Sequence, residues 1–504
     1  MSIQFNALQF GYTEKGKPVF SDFSADFEKD RITVLTGVSG CGKSSLLYLA
    51  AGIYPHHAGF LTGGCITVEG TRPESLSPKE RCRLVGMMFQ NPELQFCMDT
   101  VENELIFCLE NICTPPEAVP DALNQALDFC AIRHLRNRTL LSLSGGERQK
   151  VMLACLTALR PKWLLLDEPF ANIDNKSARA IAEKLKELHQ TYGMGVLAVD
   201  HRLDNWLAVA DEVRILEDGA LLPEIITVDR LKQSPQRPSE TTPETLPSTA
   251  SPTSSEKAPA SQSLLESHGI IVPGGSYGPK LPPPAPGEVV LELKDMSLSF
   301  GKTEILKNVT VSFRRGLIYA IVGESGCGKS SLFGVLSGLY QYRGSVLLHG
   351  KELRKTRKKQ CGQMGFVTQN PQDQFVGRTV RQEILTSLKK HPDASRISEE
   401  ILRSIRLWRY REVSPYLLSQ GQQRRLGVAA LMAYDCCLLI CDEPTYAQDR
   451  RSTIAIMDAL SRQARERRTA LIFSTHDPQL AKDYADEQFR LEGGVLHACS
   501  QSGL

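Results

Sequence analysis

Two eight-residue stretches carry residue types and spacing suited to phosphate chemistry. They are Gly37-Val38-Ser39-Gly40-Cys41-Gly42-Lys43-Ser44 and Gly323-Glu324-Ser325-Gly326-Cys327-Gly328-Lys329-Ser330. Each fits Gly-x4-Gly-Lys-[Ser/Thr] and runs on into a second serine, Ser45 or Ser331. Glycines at these positions keep side chains off a bound phosphate, so backbone N–H groups can form an anion nest at a helix start. Lys43 and Lys329 are expected to reach the β- and γ-phosphates of ATP, and Ser44 and Ser330 to ligate Mg²⁺. Cys41 and Cys327 lie within the loops and are expected to act as small apolar fillers.

Two further constellations recur. Trp163-Leu164-Leu165-Leu166-Asp167-Glu168-Pro169 and Leu438-Leu439-Ile440-Cys441-Asp442-Glu443-Pro444 are apolar runs ending in paired acids. Asp167 and Asp442 would hold Mg²⁺ through its water shell; Glu168 and Glu443 would take a proton from, or orient, the attacking water. Two acids merely capping a helix is the other reading, disfavoured by the phosphate loop upstream in the same copy. Ser144-Gly145-Gly146-Glu147 and Ser419-Gln420-Gly421-Gln422 precede helix-forming runs. A serine and bare glycine N–H groups at a helix entrance suit a second phosphate contact, but taken alone they read as an ordinary N-cap.

The elements that position these residues are legible as patterns. Apolar runs at Ile32–Leu35 and Ile318–Val322 lead into the phosphate loops as strands, and Leu46-Leu47 and Leu332-Phe333 follow as helix starts. A strand covered on both faces reads as a continuous apolar run, and ligands gather at the carboxyl ends of such strands. The two copies align at an offset of 286 between Lys43 and Lys329, and of 279 between Gln90 and Gln369. From Ser144 to Ser419, Asp167 to Asp442 and His201 to His476 the offset is 275 each time. A whole domain is duplicated, which excludes a short-period solenoid. The expected division is 1–228, a disordered linker over 229–287, and 288–504. Pro, Ser, Thr and Glu dominate the linker, as in Pro243-Glu244-Thr245-Leu246-Pro247-Ser248-Thr249. As a coil it would span roughly 40 Å.

The 504 residues carry a formal net charge of +2, which gives no global field pointing to nucleic acid. The 14 cysteines form no CxxC framework, and Cys436, Cys437 and Cys441 read as buried thiols, a usage that fits a reducing cytoplasm. No signal peptide is expected at Met1–Asn6, and no stretch approaches 18 uninterrupted apolar residues. Any membrane span must then come from another chain.

The order of motifs resembles the ATP-binding-cassette ATPases. A glutamine follows the phosphate loop (Gln90 in Phe89-Gln90-Asn91-Pro92; Gln369 in Thr368-Gln369-Asn370-Pro371). Then come the serine–glycine signature, the Asp-Glu-Pro strand, a loop aspartate (Asp174; Asp449) and a histidine after a further strand (His201; His476). The resemblance covers nearly all of both copies and implies an α/β fold, two tandem P-loop domains, each a mixed-sheet core with a helical signature subdomain. It implies that Gln90 and Gln369 sense Mg²⁺ and the transport partner, that His201 and His476 contact the γ-phosphate, and that Tyr12 and Phe300 stack on adenine. It also implies head-to-tail pairing. One site would join Lys43, Ser44, Gln90, Asp167, Glu168 and His201 to Ser419, Gly421 and Gln422. The other would join Lys329, Ser330, Gln369, Asp442, Glu443 and His476 to Ser144, Gly146 and Glu147. Gln420 departs from the usual signature glycine and Glu147 from the usual glutamine, both mild departures, and both sites are expected to hydrolyse ATP, with equality of their rates left open.

Within that family, Asn91-Pro92-Glu93-Leu94-Gln95-Phe96 and Asn370-Pro371-Gln372-Asp373-Gln374-Phe375 resemble the Asn-Pro-x-x-Gln-[Leu/Phe] segment of energy-coupling-factor importers. Thr100-Val101-Glu102-Asn103-Glu104 and Thr379-Val380-Arg381-Gln382-Glu383 extend the likeness. That resemblance implies prokaryotic uptake of a vitamin or metal ion, with separate membrane coupling and substrate-binding subunits and a peripheral position on the cytoplasmic face. Three alternatives remain at this point: a tandem cassette acting on ribosomes, a monosaccharide importer ATPase, and a peptide importer ATPase.

Overall fold

The computed structural model describes residues 1–232 and 265–499, apart from 15, 172, 174, 267, 269, 272–274, 279–280, 302, 325, 356–362, 369, 389–390, 435 and 446–447. Asp174, Ser325, Gln369 and the tether over 233–264 therefore lie outside the described residues. Two compact units result, Met1–Gly275 and Ser276–Leu504.

The first unit contains β1 (Ser2–Gly11), β2 (Phe20–Glu28), β3 (Ile32–Thr36), β4 (Phe60–Val68), β5 (Val85–Met88), β6 (Trp163–Asp167), β7 (Gly195–Val199), β8 (Glu212–Glu217), β9 (Ala220–Leu221) and β10 (Ile226–Thr227). An antiparallel sheet has the order β2-β1-β4, and a second sheet the order β10-β8-β3-β7-β6-β5. Strands β8, β3, β7, β6 and β5 of the second sheet are parallel. Every residue of β3, β6 and β7 is buried, as a parallel sheet covered on both faces requires.

The second unit repeats this plan with β11 (Val289–Phe300), β12 (Thr303–Arg314), β13 (Ile318–Val322), β14 (Arg343–Leu348), β15 (Lys351–Glu352), β16 (Met364–Val367), β17 (Leu438–Cys441), β18 (Ala470–Thr475), β19 (Glu487–Glu492) and β20 (Val495–Cys499). Its sheets run β12-β11-β14-β15 and β16-β17-β18-β13-β19-β20. The parallel order is thus the same in both copies. One aspartate fixes the same corner in each. Asp211 accepts a hydrogen bond from Ile32 N at 2.7 Å, and Asp486 accepts one from Ile318 N at 2.8 Å.

A helical subdomain accompanies each sheet. Helices Val101–Asn111, Val119–Phe129 and Gly145–Leu159 pack on one another around Leu105, Leu123 and Leu153. Helices Val380–Ser387, Ala394–Ser404 and Gln420–Met432 do the same around Ile384, Leu402 and Leu426. Among the described residues no helix is long and apolar enough to cross a membrane.

The stretch expected as a disordered linker is not featureless where it is described. Helix Val228–Lys232 opens it, Leu265 and Ile270 are fully buried, and Tyr277 is 4% exposed. These side chains supply apolar surface that the Pro/Ser/Thr-rich tether lacks, so the ends can pack where the middle has nothing to bury.

Candidate functional site

In both units the phosphate loop leaves a buried strand and ends in a helix, Lys43–Ala50 or Lys329–Leu336. Gly37 is fixed by space, because a Cβ there would meet Leu216 O at 2.1 Å with φ at +146°. Gly40 and Gly326 differ: φ is +85° and +80°, and a Cβ would meet nothing within 4 Å. The loop therefore curves around open space. Gly42 and Gly328 cap the helices in the left-handed region at φ 108° and 109°. Lys43 Nζ donates to Gly37 O at 2.9 Å and Val38 O at 3.0 Å, and Lys329 Nζ to Gly323 O at 2.7 Å and Glu324 O at 2.9 Å. Each ammonium is held across its own loop by neutral carbonyls, close enough to act electrostatically on the acid pair of its unit. The Cys41 thiol is buried, which pushes its pKa up, and sits 3.8 Å from Lys43 Nζ. Cys327 is likewise raised by burial. Ser39 is exposed at the loop tip.

The carboxyl ends of β3, β5, β6 and β7 bring the loop serine, the glutamine, the acids and the histidine together. Ser44 Oγ donates to Asp167 Oδ1 at 3.0 Å. Gln90 Nε2 donates to Glu168 Oε2 at 2.7 Å, and His201 Nε2 lies 3.2 Å from Glu168 Oε1. Glu168 has φ 48°, so the backbone turns sharply as it leaves β6. Burial, with Glu168 alongside, pushes the Asp167 carboxyl up to about 7 despite Ser44 and Lys43. Glu168 is shifted the other way: burial opposes ionisation, but His201, Lys43 and Gln90 outweigh it. The adjacent carboxyls are shifted in opposite directions: Asp167 holds its proton more tightly than a free aspartate, while Glu168 is kept ionised as a proton acceptor.

The second unit differs in detail. Asp442 accepts from Ser474 Oγ at 2.6 Å and from Ser330. Glu443 N donates to Ser474 Oγ at 2.9 Å, where Glu168 N instead donates to Val199 O. His476 Nδ1 is 3.7 Å from Glu443 Oε1, longer than its counterpart, and its side chain is 33% exposed against 9% for His201. The two acid–histidine pairs are not equivalent.

No group of three His, Cys, Asp or Glu side chains forms a metal cage among the described residues. The donors present, a serine hydroxyl and one carboxylate beside a basic loop, instead suit Mg²⁺, which keeps several waters and shares substrate phosphates. They fit.

The signature residues stand at helix starts, each within a capping box. Ser144 N and Oγ both donate to Glu147 Oε2, at 2.7 and 2.8 Å, and Ser144 Oγ accepts from Glu147 N at 3.4 Å. Burial opposes ionisation of Glu147, but these bonds hold its carboxyl below the usual range. Ser419 and Gln422 make the equivalent box at 3.0 and 3.4 Å. Gly145 is the first residue of its helix, Gly146 is buried beside Ile173 and Ser177, and Gly421 lies in the first turn of Gln420–Met432. Tyr12 is half exposed and its hydroxyl is 2.7 Å from Ser45 Oγ. Phe300 is 45% exposed, edge-on to Tyr340. Ser331 follows Ser330 in the first turn of Lys329–Leu336.

The motifs that contain Gln95 and Glu104 give these residues no positioning role; the structure supplies one. Gln95 accepts from Phe89 N at 2.7 Å and donates to Met87 O at 2.9 Å, stapling the segment after Gln90 to β5. Glu104, 3% exposed, accepts from Cys97 N and Met98 N at 2.9 and 2.8 Å, and Glu383 repeats this with Val376 N and Gly377 N. Asp200, beside His201, accepts from Trp206 Nε1 at 2.9 Å and Arg202 N at 3.0 Å. The available signal was recurrence: Gln95 and Glu104 fall at matching positions in both copies.

The family described as "ABC transporter" matches residues 20–171 and 306–446. A Bacillus subtilis protein described as "Putative HMP/thiamine import ATP-binding protein YkoD" is 35% identical over 486 residues, 95% of this chain and 88% of that protein. A "Putative ABC transporter ATP-binding protein SSO1893" of Saccharolobus solfataricus is 28% identical, over 98% of this chain and 93% of its own length. A solved complex of archaeal ribosomal stalk protein aP1 and archaeal ribosome recycling factor aABCE1 overlays 98% of this chain and 89% of that one, with TM-score 0.60 and 16% identity, a likeness of fold.

Proposed function

The chain belongs to the ABC transporter family as a tandem ATPase, and on that premise we propose that it energises an energy-coupling-factor importer through separate membrane subunits. The observation that carries this reading is the doubled Asn-Pro-x-x-Gln-Phe segment, in which Gln95 accepts from Phe89 N and Gln374 accepts from Thr368 N. In the second unit an open groove of about 480 Å³ lies just beyond it, lined by Val376, Gly377, Arg378, Gln382, Leu385 and Thr386. Leu94 is 78% exposed within the first segment, and Val376, directly after the second, is 72% exposed. Val376 and Leu385 give the groove apolar contacts, and Arg378, Gln382 and Thr386 give it polar ones, a mixed lining that can take a helix of a membrane coupling subunit. The relative named for HMP/thiamine import favours a vitamin over a metal ion as cargo.

ATP lies between copies in this proposal. Lys43, Ser44, Gln90, Asp167, Glu168 and His201 work with Ser419, Gly421 and Gln422; Lys329, Ser330, Gln369, Asp442, Glu443 and His476 work with Ser144, Gly146 and Glu147. Ser44 and Asp167 hold Mg²⁺, which supplies charge neutralisation at the phosphates. Glu168 accepts the proton of the attacking water. Tyr12 and Phe300 stack on adenine. Affinity purification from detergent-solubilised membranes tests the assignment: co-purifying small membrane proteins support it, while sedimentation with ribosomes in sucrose gradients overturns it.

A further inference from the structure

At the Asp-Glu turn the two copies bond differently, and the difference falls on one side chain. In the first unit the ladder between β6 and β7 runs as far as Asp167 opposite Val199, and Glu168 N donates to Val199 O at 2.8 Å. In the second unit β17 ends one residue sooner, at Cys441, paired with Phe473 of β18. The next residue of β18 is Ser474, which falls where the first copy has Val199 at the repeat offset of 275. Its hydroxyl takes over from the main-chain carbonyl: Glu443 N donates to Ser474 Oγ at 2.9 Å.

Ser474 Oγ in turn donates to Asp442 Oδ1 at 2.6 Å. A hydroxyl has one hydrogen to give, and with Glu443 N–H directed at its oxygen that hydrogen is committed to Asp442. The result is a directional chain from the Glu443 amide through the Ser474 hydroxyl to the Asp442 carboxylate, in which each bond polarises the next. It ties the main chain of one acid to the side chain of the other. Ser474 is fully buried and Asp442 is 4% exposed, so water does not compete for either bond. A buried serine often does no more than satisfy its own hydroxyl. Here the fold does not require one, since Val199 takes the same place in the first copy with the same parallel strand order. The first unit instead gives Asp167 a second hydroxyl from Tyr48 OH at 3.5 Å, and Gly334 stands at that position in the second unit.

We propose that Ser474 is a positioning residue of the second unit, whose hydroxyl fixes the Asp442 carboxylate in the orientation that lets it hold Mg²⁺ together with Ser330. The proposal rests on the reading that Asp442 holds the metal. Removing a hydrogen bond to a ligating carboxylate lowers metal affinity by about 10- to 100-fold, which sets the size of the effect.

The test uses the full-length chain carrying Lys43→Ala, chosen to empty the first unit's nucleotide site. Mn²⁺ is titrated in the presence of one equivalent of ADP, free Mn²⁺ is followed by electron paramagnetic resonance, and folding is followed by Tm. Ser474→Val and Ser474→Thr have nearly the same branched shape and differ in the hydroxyl. Ser474→Val is expected to weaken Mn²⁺ binding at least about tenfold, and Ser474→Thr to stay within about twofold of the parent chain. A Ser474→Thr chain that binds Mn²⁺ no more than about twofold tighter than Ser474→Val overturns the proposal, because shape and not the hydroxyl then decides. If Ser474→Val is unfolded at the titration temperature, Ser474→Ala replaces it in the comparison. Asp442→Asn runs alongside: affinity equal to the parent's removes the metal reading itself, whereas a loss there with matching Ser474→Val and Ser474→Thr chains removes only the role of Ser474.

Discussion

At the scale of single residues, Glu168 carries the heaviest chemical assignment, and its surroundings fit the role. It is held ionised against burial by His201, Lys43 and Gln90, and it follows β6 with a left-handed backbone at φ 48°. Removing a general base costs about 10²- to 10⁴-fold at its own site. Glu168→Gln alone is therefore expected to cut steady-state phosphate release to what the Glu443 site supplies, and Glu168→Gln/Glu443→Gln to lower it at least about 100-fold. Unchanged release in the single variants defeats the assignment. Asp200 gives a pH prediction of definite sign. Burial pushes its carboxyl up to about 6 in the folded chain, above the usual aspartate value of about 3.9. The folded state thus binds the proton more tightly, so this group's contribution to stability falls as pH rises from about 4 to about 6, then levels off. Asp200→Asn is expected to remove that part of the slope, giving a smaller loss of Tm between pH 4.5 and 7 than in the wild type. An identical loss in both chains refutes it.

At the scale of elements, the strands and the repeat were legible because chemistry and burial coincide. A run such as Leu164-Leu165-Leu166 can only be an inner parallel strand, and the acids after it mark where that strand opens to solvent. Ser144 illustrates the limit. Ser-x-x-Glu is a capping-box pattern; the family resemblance enlists Glu147 at a nucleotide, and its carboxylate turns back on Ser144. Buried polar staples such as Gln95 and Glu104 were hidden because their role depends on which backbone donors a distant loop leaves unpaired, and periodicity does not encode that. The packing of Leu265 and Ile270 was hidden for the opposite reason, since a few apolar side chains are diluted in a polar stretch. Asp486 shows how one such residue holds an element. It takes both terminal nitrogens of Arg465, at 2.7 and 2.8 Å, while serving Ile318 N. Asp486→Ala strands a buried guanidinium and frees the start of β13, costing about 3–5 kcal/mol. Native-state hydrogen exchange of β13 amides is expected to show that loss, and Asp486→Asn/Arg465→Met to regain most of it. Unaltered exchange in Asp486→Ala argues against the pin.

For the whole molecule, duplication poses the question of which halves cooperate. Each unit contains a full set of loop, acid pair and histidine, and each holds a signature helix whose cap is satisfied within its own unit. Local hydrogen bonding therefore gives neither signature a reason to act in cis or in trans. The argument for trans is electrostatic. The positive end of a helix dipole and a loop lysine both attract the same anion, and a triphosphate held by both gains contacts that either alone lacks, so it favours the closed pair. Functional coupling separates the alternatives without dissecting the chain. In the trans arrangement Lys43 and Ser419 serve one nucleotide and Lys43 and Ser144 serve two. Lys43→Ala/Ser419→Ala is then expected to retain the activity of Lys43→Ala, because the second change strikes a site already lost. Lys43→Ala/Ser144→Ala is expected to fall at least tenfold further, with both sites disabled. Residues acting as a unit are non-additive, so the pattern of the two double variants identifies the partners. The reverse pattern, with Ser144 silent and Ser419 additive on Lys43→Ala, assigns each nucleotide to a single copy and ends the composite-site proposal.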